Sequence, residues 1–217
     1  MSHTPTPHPA TGTRAAQKEQ SRRALLDAAL TLLEHQNLSS LGVREVTREA
    51  GLSPAGFYRH FRDLDELGVT LVTESLRSLH LMIEKIMAEQ GEPEQLIERT
   101  VAVIARHVRE HRAHIRFLAR ERHGGVQPVR EAIAAEFTAF TEETAAALAL
   151  QPESAGWSRG DLLMLAGLYV EQTVGTAAAF LEAPVGSRAA EQRIAARARD
   201  QLRLISIGRR HWSTANG

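Results

Sequence analysis

Cysteine is absent from the 217 residues, and aromatic side chains make up only 5% of them. Without thiols the chain has no disulfide framework and no thiol chemistry. No apolar run reaches the length of a transmembrane helix and no signal-peptide pattern is present, so we expect a cytoplasmic protein without membrane insertion. A Gly-rich phosphate loop, a nucleophile elbow and a Cys/His pair are also missing, which argues against an enzyme. The sequence indicates no cofactor and no metal.

Net charge is absent too, since 26 Lys and Arg residues balance 26 Asp and Glu residues. The balance is uneven along the chain, because residues 14–62 hold eight basic and five acidic side chains. The rest of the chain carries the matching acidic excess. This sign is the one expected of a DNA-facing N-terminal domain on a neutral or acidic partner domain.

Residues 43–61 predict two short helices around a tight turn. Val43, Val46 and Ala50 recur at helical spacing, so they give the first helix one apolar face. Gly51 then suits the left-handed conformation in which helices often end. Ser53 has the side chain of an N-cap and is followed by a proline at the first helical position, so a second helix begins here.

The second helix is predicted over Pro54–Phe61, with Phe57 and Phe61 on its inner face. Its outer face starts with small residues and ends with Tyr58, Arg59 and His60. Small residues let a helix N-terminus approach DNA closely, and the later side chains can donate to phosphates. The pair is therefore interpreted as a DNA-binding helix-turn-helix, although an ordinary packed helix pair shares this pattern.

The rest of the sequence predicts an all-α protein with three segments. Residues 1–13 are expected to be a disordered tail, 14–62 the helix-turn-helix domain, and 63–217 an effector-binding and dimerisation domain. The basic residues that follow the tail suit either an arm on the DNA backbone or plain solvated surface. Outside the helix pair, helices are predicted over residues 14–36, 63–90, 93–110, 112–122, 126–150, 158–181 and 188–212.

The last two predicted helices differ from the others in having broad apolar bands with small residues. Leu165, Leu168 and Phe180 belong to this band. Gly167 and Gly175 have no side chains, so the backbone of a neighbouring helix can approach closely there. Such a helix pair predicts a four-helix interface with a second copy of the chain. A buried hairpin within one chain is the alternative.

Four segments together resemble the TetR family of transcriptional repressors, and within it the FabR- and DesT-type regulators of unsaturated fatty acid synthesis. These segments are ALLDAAL (24–30), LGVREVTREAGLSPAGFYRHFRDLDELG (41–68), FLARERHGGVQPVREAI (117–133) and LRLISIGRRHW (202–212). The resemblance covers roughly residues 14–212. Gly42 departs from the usual Ser or Thr, which puts one N-cap hydrogen bond in doubt.

The resemblance implies a homodimer that represses genes of fatty acid metabolism by binding a palindromic double-stranded DNA operator. It also implies a long-chain acyl-CoA as effector of the C-terminal domain. The DNA contacts that it carries over fall on Arg44, Thr47, Ser53, Pro54, Ala55, Gly56, Tyr58, Arg59 and His60.

An acyl chain would need an apolar tunnel with cations near its mouth. The candidate lining residues are Leu79, Met82, Ile83, Ile104, Val108, Phe117, Leu118, Phe137 and Phe140, all of which also suit a packed core. The candidate cations for a CoA head are Arg116, Arg120, Arg122 and His123. An intrahelical network with Glu121 is the alternative for these cations.

Three further interpretations stay open from the sequence. A TetR-type regulator of efflux or catabolism would sense a different hydrophobic small molecule, and a DNA-binding protein without an effector would have a fully packed body. His107, His111 and His114 have a spacing that can place imidazoles on one helix face. Crowding by arginines and the nearby helix junction argue against a metal there.

Overall fold

A computed structural model describes residues 10–88 and 91–212, without the side chains of residues 10–13, 78 and 81–88. All regular structure in this part of the chain is helical, as predicted. Two 3-10 turns, Leu38–Ser40 and Pro152–Ser154, interrupt the α-helices. The α-helices are α1 (Ala10–Leu32), α2 (Val43–Glu49), α3 (Pro54–Phe57), α4 (Leu64–Ala88), α5 (Pro93–Glu110), α6 (Arg112–Glu121), α7 (Gln127–Ala149), α8 (Arg159–Glu182) and α9 (Arg188–His211).

The five helices α5 to α9 begin and end within one residue of their predicted bounds, because their ends carry strong local signals. Ser158 and Asp161 form a reciprocal capping box at the start of α8, and the side chain of Ser187 caps α9. A proline occupies the first turn of α5 and of α7.

The N-terminal region differs from prediction in three places. Helix α1 already begins at Ala10, so the predicted tail is shorter; residues 1–9 lie outside the described part of the chain. It also ends at Leu32 instead of residue 36, since the amides of Glu34 and His35 bond three residues back. Helix α3 ends at Phe57 instead of Phe61, because the amide of His60 turns back to the Phe57 carbonyl at 2.8 Å.

The main hydrophobic core joins the first three helices to the body of the protein. Phe57 and Phe61 from the helix-turn-helix lie in the same buried cluster as Leu71 of α4, Phe117 of α6 and Val129 of α7. A second cluster joins α5, α8 and α9 through Val101, Ile104, Phe180 and Leu202, and a third lies between α7 and α8. The helix-turn-helix is therefore packed directly on the body.

At Gly68 in α4, the helix-turn-helix region and the body approach each other closely. A Cβ atom added there would lie 2.5 Å from Leu38 Cδ2 and 2.7 Å from Val129 Cγ2. The absence of a side chain lets the turn after α1 and the start of α7 pack against the same point of α4.

Candidate DNA-binding surface and effector cavity

The turn between α2 and α3 has the geometry that its residue types favour. Gly51 adopts a positive φ of 65°, and the Leu52 amide bonds the Thr47 carbonyl at 2.8 Å. Ser53 caps α3 by accepting a hydrogen bond from the Gly56 amide at 3.2 Å. Phe57 and Phe61 are buried on the inner side, so α3 presents its N-terminus and outer face to solvent.

The outer side of this helix pair matches most of the predicted DNA contacts. Tyr58 is 61% exposed, and its ring lies edge-on to Phe57 with centroids 5.5 Å apart. Gly56 is half-buried. The remaining exposed members of the predicted set are Arg44, Ser53, Pro54, Ala55 and Arg59.

Thr47 and His60 depart from the predicted set. The structure places Thr47 in the interior at 2% exposure, where its hydroxyl donates to the Arg44 carbonyl, so it cannot reach a phosphate. His60 is half-buried, and its Nδ1 is buried without a hydrogen-bond partner among the described residues. Burial lowers the pKa of His60, and the charges of Lys18 and Arg22 lower it further, which disfavours the charged form that binds phosphate best.

The basic residues of α1 are partly neutralised by the body. Arg22 Nη1 lies 3.5 Å and Arg23 Nη1 3.1 Å from the Glu74 carboxylate of α4, and the Arg22 guanidinium also lies over the Phe61 ring. Lys18, one helical turn before Arg22, and Arg14, two turns before it, are exposed. Arg23 is exposed as well, but its guanidinium is paired with Glu74.

A cavity of about 300 Å³ lies in the body between α4, α5, α7, α8 and α9. One stretch of its wall is apolar, with residues from all five helices, and another is polar, where the end of α9 meets the 3-10 turn after α7. The apolar wall includes Leu79, Leu96, Ile97, Phe137, Phe140, Leu148, Val170, Val174 and Leu202; the polar residues include Thr144, Gln151, Glu153, Tyr169, Ser206, Arg209 and Arg210.

The structure brings three of the predicted lining residues together in this cavity, namely Leu79, Phe137 and Phe140. Met82 and Ile83 have side chains outside the described part of the chain. The other four residues are corrections, because they fill the core instead. Ile104 and Val108 pack in the α5–α8–α9 cluster, and Phe117 and Leu118 pack in the main cluster.

The cations predicted for a CoA head also lie elsewhere, with their charges directed to other groups. Arg120 donates to the carbonyls of Leu33 at 3.0 Å and Gln36 at 3.3 Å, at the end of α1. Arg116 pairs with Glu34 at 3.5 Å, and Arg122 pairs with Glu171 at 3.0 Å. The predicted role of Arg120 in ligand binding is therefore replaced by a bond to the DNA-binding region.

Glu121 completes this connection between α6 and the end of α1. Its side chain is buried at 1% exposure, and its Oε1 accepts a hydrogen bond from the Leu38 amide at 2.9 Å. A Cβ on Gly124 would lie 2.2 Å from Glu121 Oε2, so the glycine leaves room for the carboxylate. The FLARERHGG segment thus connects the body to the helix-turn-helix region through hydrogen bonds. It differs from both predictions for this segment, the binding of a CoA head and an intrahelical network.

The polar wall of the cavity was missed at the sequence level. Arg209 belongs to a basic last turn of α9 that suits any helix C-terminus, and Tyr169 sits in a band read as apolar. Gln151 lies in a segment read as a loop. What unites the three residues is tertiary packing, which no spacing in the sequence displays.

Histidines cluster at two places without forming a metal site. His80 lies between Glu136 and Glu143, with each ring nitrogen 3.2 Å from one carboxylate, so the two carboxylates lie on opposite sides of the ring. His107 and His111 have ring centroids 4.6 Å apart. No group of His, Cys, Asp or Glu in the described residues is arranged to hold a metal ion. Burial lowers the pKa of His107 to about 4, with a further lowering by the neighbouring His111.

Helices α8 and α9 share an exposed apolar surface. Trp212 Nε1 donates to Asp161 Oδ1 at 3.1 Å, so the end of α9 lies beside the start of α8. Next to this bond, Met164, Leu168, Leu204 and Ile207 are 43%, 51%, 70% and 41% exposed. Helix α8 also meets the length and composition of a membrane span, but it packs against α5, α6, α7 and α9 as a bundle helix does.

Residues 25–68 match the family model described as bacterial regulatory proteins, tetR family. This match covers α2, α3 and the last third of α1, together with the start of α4, and so contains the whole helix-turn-helix.

The fold of the whole chain is similar to that of several solved regulators. A TetR-family transcriptional regulator from Streptomyces coelicolor is 20% identical, with a TM-score of 0.63 over 87% of this chain and 97% of that one. The fatty acid degradation regulator FadR from Bacillus halodurans is 14% identical, with a TM-score of 0.60 over 88% and 97%. FadR from Bacillus subtilis, in complex with stearoyl-CoA, is 13% identical, with a TM-score of 0.63 over 84% and 96%.

Proposed function

We propose that this chain is a homodimeric repressor of the TetR type, whose binding to a palindromic operator is controlled by a long-chain acyl-CoA. The match of residues 25–68 to the tetR family model supports the first part of this proposal. Regulators of this family are cytoplasmic DNA-binding dimers. The effector binds in the cavity of the body, and the repressed genes are those of fatty acid metabolism. The chain divides after residue 62 into a DNA-binding domain and an effector domain.

The observation that carries the proposal is the apolar cavity beside α4. Leu79 lines it from α4, and the same helix begins at Leu64, directly after the helix-turn-helix. A ligand that fills the cavity therefore presses on the helix that holds the DNA-binding region. A chain with a fully packed body would offer an effector no such place.

The shape of the cavity favours a long apolar chain. Along α7 the lining residues run from Phe137 to Leu148, which is a rise of roughly 17 Å at about 1.5 Å per residue. An extended carbon chain with bonds of about 1.5 Å advances about 1.25 Å per carbon, so roughly thirteen carbons fit along this wall. Stearoyl-CoA in the FadR structure from Bacillus subtilis supports the same ligand class.

The dimer is proposed to form through the α8–α9 surface of each subunit. The exposed Met164, Leu168, Leu204 and Ile207 would be buried there against a second copy. A Cβ on Gly167, Gly175 or Gly208 would meet no atom within 4 Å, so these positions leave room for a partner helix to approach.

The DNA contacts are proposed to come from the exposed part of the predicted set, with Arg44 and α3 in one major groove per subunit. Two such helices must lie about 34–36 Å apart to enter successive major grooves. The dimer would have a second conformation in which the two helices lie at another distance. An effector changes DNA affinity only if it binds these two conformations with different affinities. Movement of α4 is the proposed route from the cavity to that spacing.

Fluorescence anisotropy on the DNA upstream of the protein's own gene tests the proposal. Purified protein is titrated onto the labelled duplex alone, with palmitoyl-CoA and with oleoyl-CoA, and free CoA serves as the control. Opposite or clearly unequal shifts of the dissociation constant by the two thioesters are expected. DNA binding that neither thioester alters would contradict the acyl-CoA effector and favour a TetR-type regulator of efflux or catabolism.

A further inference from the structure

Arg209 forms the centre of the polar wall of the cavity. Its side chain is only 11% exposed, although it lies in the last turn of α9. Nη1 donates to Gln151 Oε1 and Nη2 donates to Ser154 Oγ, both at 2.7 Å. Two neutral acceptors thus hold the guanidinium at a fixed position beside the cavity.

The ion pair that Arg209 forms with Glu153 is a long one. Glu153 Oε2 is 3.8 Å from Nη2, beyond hydrogen-bond distance, and the Glu153 side chain is 56% exposed. Nε is buried, and no acceptor among the described residues bonds it. A buried guanidinium without a bonded oxyanion is energetically unfavourable.

The remaining donors of Arg209 match one oxyanion. A guanidinium has five N–H groups. Gln151 and Ser154 use two of them, which leaves Nε–H and further N–H groups of the guanidinium for a ligand. Two donors of one guanidinium bind a carboxylate or phosphate in the bidentate manner. Burial raises the pKa of the Tyr169 hydroxyl, and Arg209 offsets part of that rise, so the hydroxyl stays neutral and does not compete as a counter-ion.

We propose that Arg209 binds the anionic head of an acyl lipid whose chain lies along Phe137, Phe140 and Leu148. This inference rests on the proposed function, since it takes the cavity as the effector site. A fatty acid carboxylate and a phosphate of an acyl-CoA both supply the required oxyanion. The half-exposed Glu153 side chain turns to solvent as the head enters.

The position of Arg209 also connects the head group to the dimer surface. Ile207 and Gly208, the two residues before it, lie on the exposed face of α9 that the second copy is proposed to cover. A lipid head bound at Arg209 therefore acts on α9 from the inside, while its chain acts on α4. Both helices set the distance between the two DNA-binding regions.

Three probes with the same twelve-carbon chain test the inference: dodecanoate, dodecan-1-ol and lauroyl-CoA. Each probe displaces the neutral dye N-phenyl-1-naphthylamine, whose binding needs no cation. Wild-type protein is expected to bind dodecanoate about tenfold or more tightly than dodecanol. R209Q is expected to lose this preference while its affinity for dodecanol stays the same, and R209K is expected to restore part of it.

R197Q is the matched control, because Arg197 lies on the same helix as Arg209 but is exposed and does not line the cavity. It is expected to keep the preference for dodecanoate. Thermal unfolding followed by circular dichroism checks that each variant folds. If R209Q does not fold, wild-type protein still decides by its preference for dodecanoate over dodecanol, and R209K shows whether this preference depends on the guanidinium.

The outcomes separate the inference from the proposed function. Equal affinities of wild-type protein for dodecanoate and dodecanol, together with an affinity for lauroyl-CoA that R209Q leaves unchanged, would overturn the role of Arg209 and leave the cavity as a lipid site. If the dye does not bind, or if no probe displaces it, the proposal that the cavity is the effector site would be wrong. Dependence on Arg209 with lauroyl-CoA but not with dodecanoate would support the inference and identify phosphate as the oxyanion; the reverse would identify carboxylate.

Discussion

At the scale of single residues, Arg120 and Glu121 at the C-terminal end of α6 connect the body to the helix-turn-helix region by hydrogen bonds. Arg120 bonds two carbonyls at the end of α1, and Glu121 accepts the amide of Leu38 in the turn that follows. These backbone groups would otherwise lack partners at a helix terminus. The pair therefore stabilises the end of α1 as well as the contact between the two regions.

E121A is expected to lower the free energy of unfolding by about 1–3 kcal/mol, because it leaves the Leu38 amide buried without an acceptor. E121Q keeps an acceptor of the same length, so a smaller change is expected. Urea denaturation measures both variants. An E121A protein as stable as wild type would show that Glu121 does not support this connection.

Arg44 and Tyr58 are expected to contribute to DNA binding in different ways. R44A should cost about 1–3 kcal/mol on the operator and relax sequence preference if the side chain reads a base. Y58A should weaken binding to specific and random DNA about equally, with little change in the salt dependence, since tyrosine is uncharged. Anisotropy titrations on both duplexes at several salt concentrations measure these effects. An unchanged sequence preference in R44A would exclude base reading by Arg44.

His107 is expected to make the protein less stable as the pH falls. Its pKa is about 4 in the folded chain, against 6.5 when unperturbed, because burial disfavours the charged ring. Between these values the unfolded chain binds a proton that the folded chain does not, so the free energy of unfolding decreases from pH 6.5 towards pH 4. H107Q should flatten this decrease, and H35Q, at an exposed histidine, should not. Urea denaturation at a series of pH values compares the slopes.

At the scale of elements, helices were predictable where caps and periodicity agree, and less so where packing decides. Ser158 and Asp161 fix the start of α8 by local chemistry, so the sequence located it within one residue. Helix α3 is shorter than predicted, because Phe61 reaches the core through a turn that bonds back to Phe57. Apolar spacing alone does not distinguish these two routes into the core.

Gly68 illustrates a packing requirement inside a regular helix. Alanine has the higher helix propensity by about 1 kcal/mol, yet its Cβ would lie within 3 Å of both Leu38 and Val129. G68A is therefore expected to be destabilising by about 1–3 kcal/mol from overpacking. G160A is the control, since its Cβ would meet Ser158 Oγ at an ordinary 3.6 Å. Urea denaturation compares them, and a stabilised G68A would contradict the close approach.

At the scale of the whole molecule, the sequence indicated an apolar body but not where its cavity lies. Leu79, Phe137 and Phe140 line it, whereas Ile104 and Phe117, of similar character, fill the core. Which of two apolar side chains borders an empty space depends on how five helices pack around it. The polar wall was missed for the same reason, since Arg209, Gln151 and Tyr169 come from three separate segments.

L168R is expected to convert the protein to a monomer, because it places a charge in the middle of the proposed dimer surface, where Leu168 is 51% exposed. Operator affinity should fall sharply, since each monomer then binds a single half-site. V185R is the control at an 89% exposed apolar residue in the loop after α8. Light scattering and anisotropy measure mass and affinity. A dimeric L168R protein would place the interface elsewhere.

The core that joins Phe57 and Phe61 to Phe117 and Val129 limits how the helix-turn-helix of this protein can be exchanged for another. A chimera that carries another regulator's helix-turn-helix would have to supply matching partners for Gly68 and Glu121 as well as for the buried phenylalanines. Operator specificity is therefore easier to change by substitution on the exposed face of α3 than by exchange of the domain. The same interlocking means that the first 62 residues, expressed alone, would expose an apolar surface and tend to aggregate.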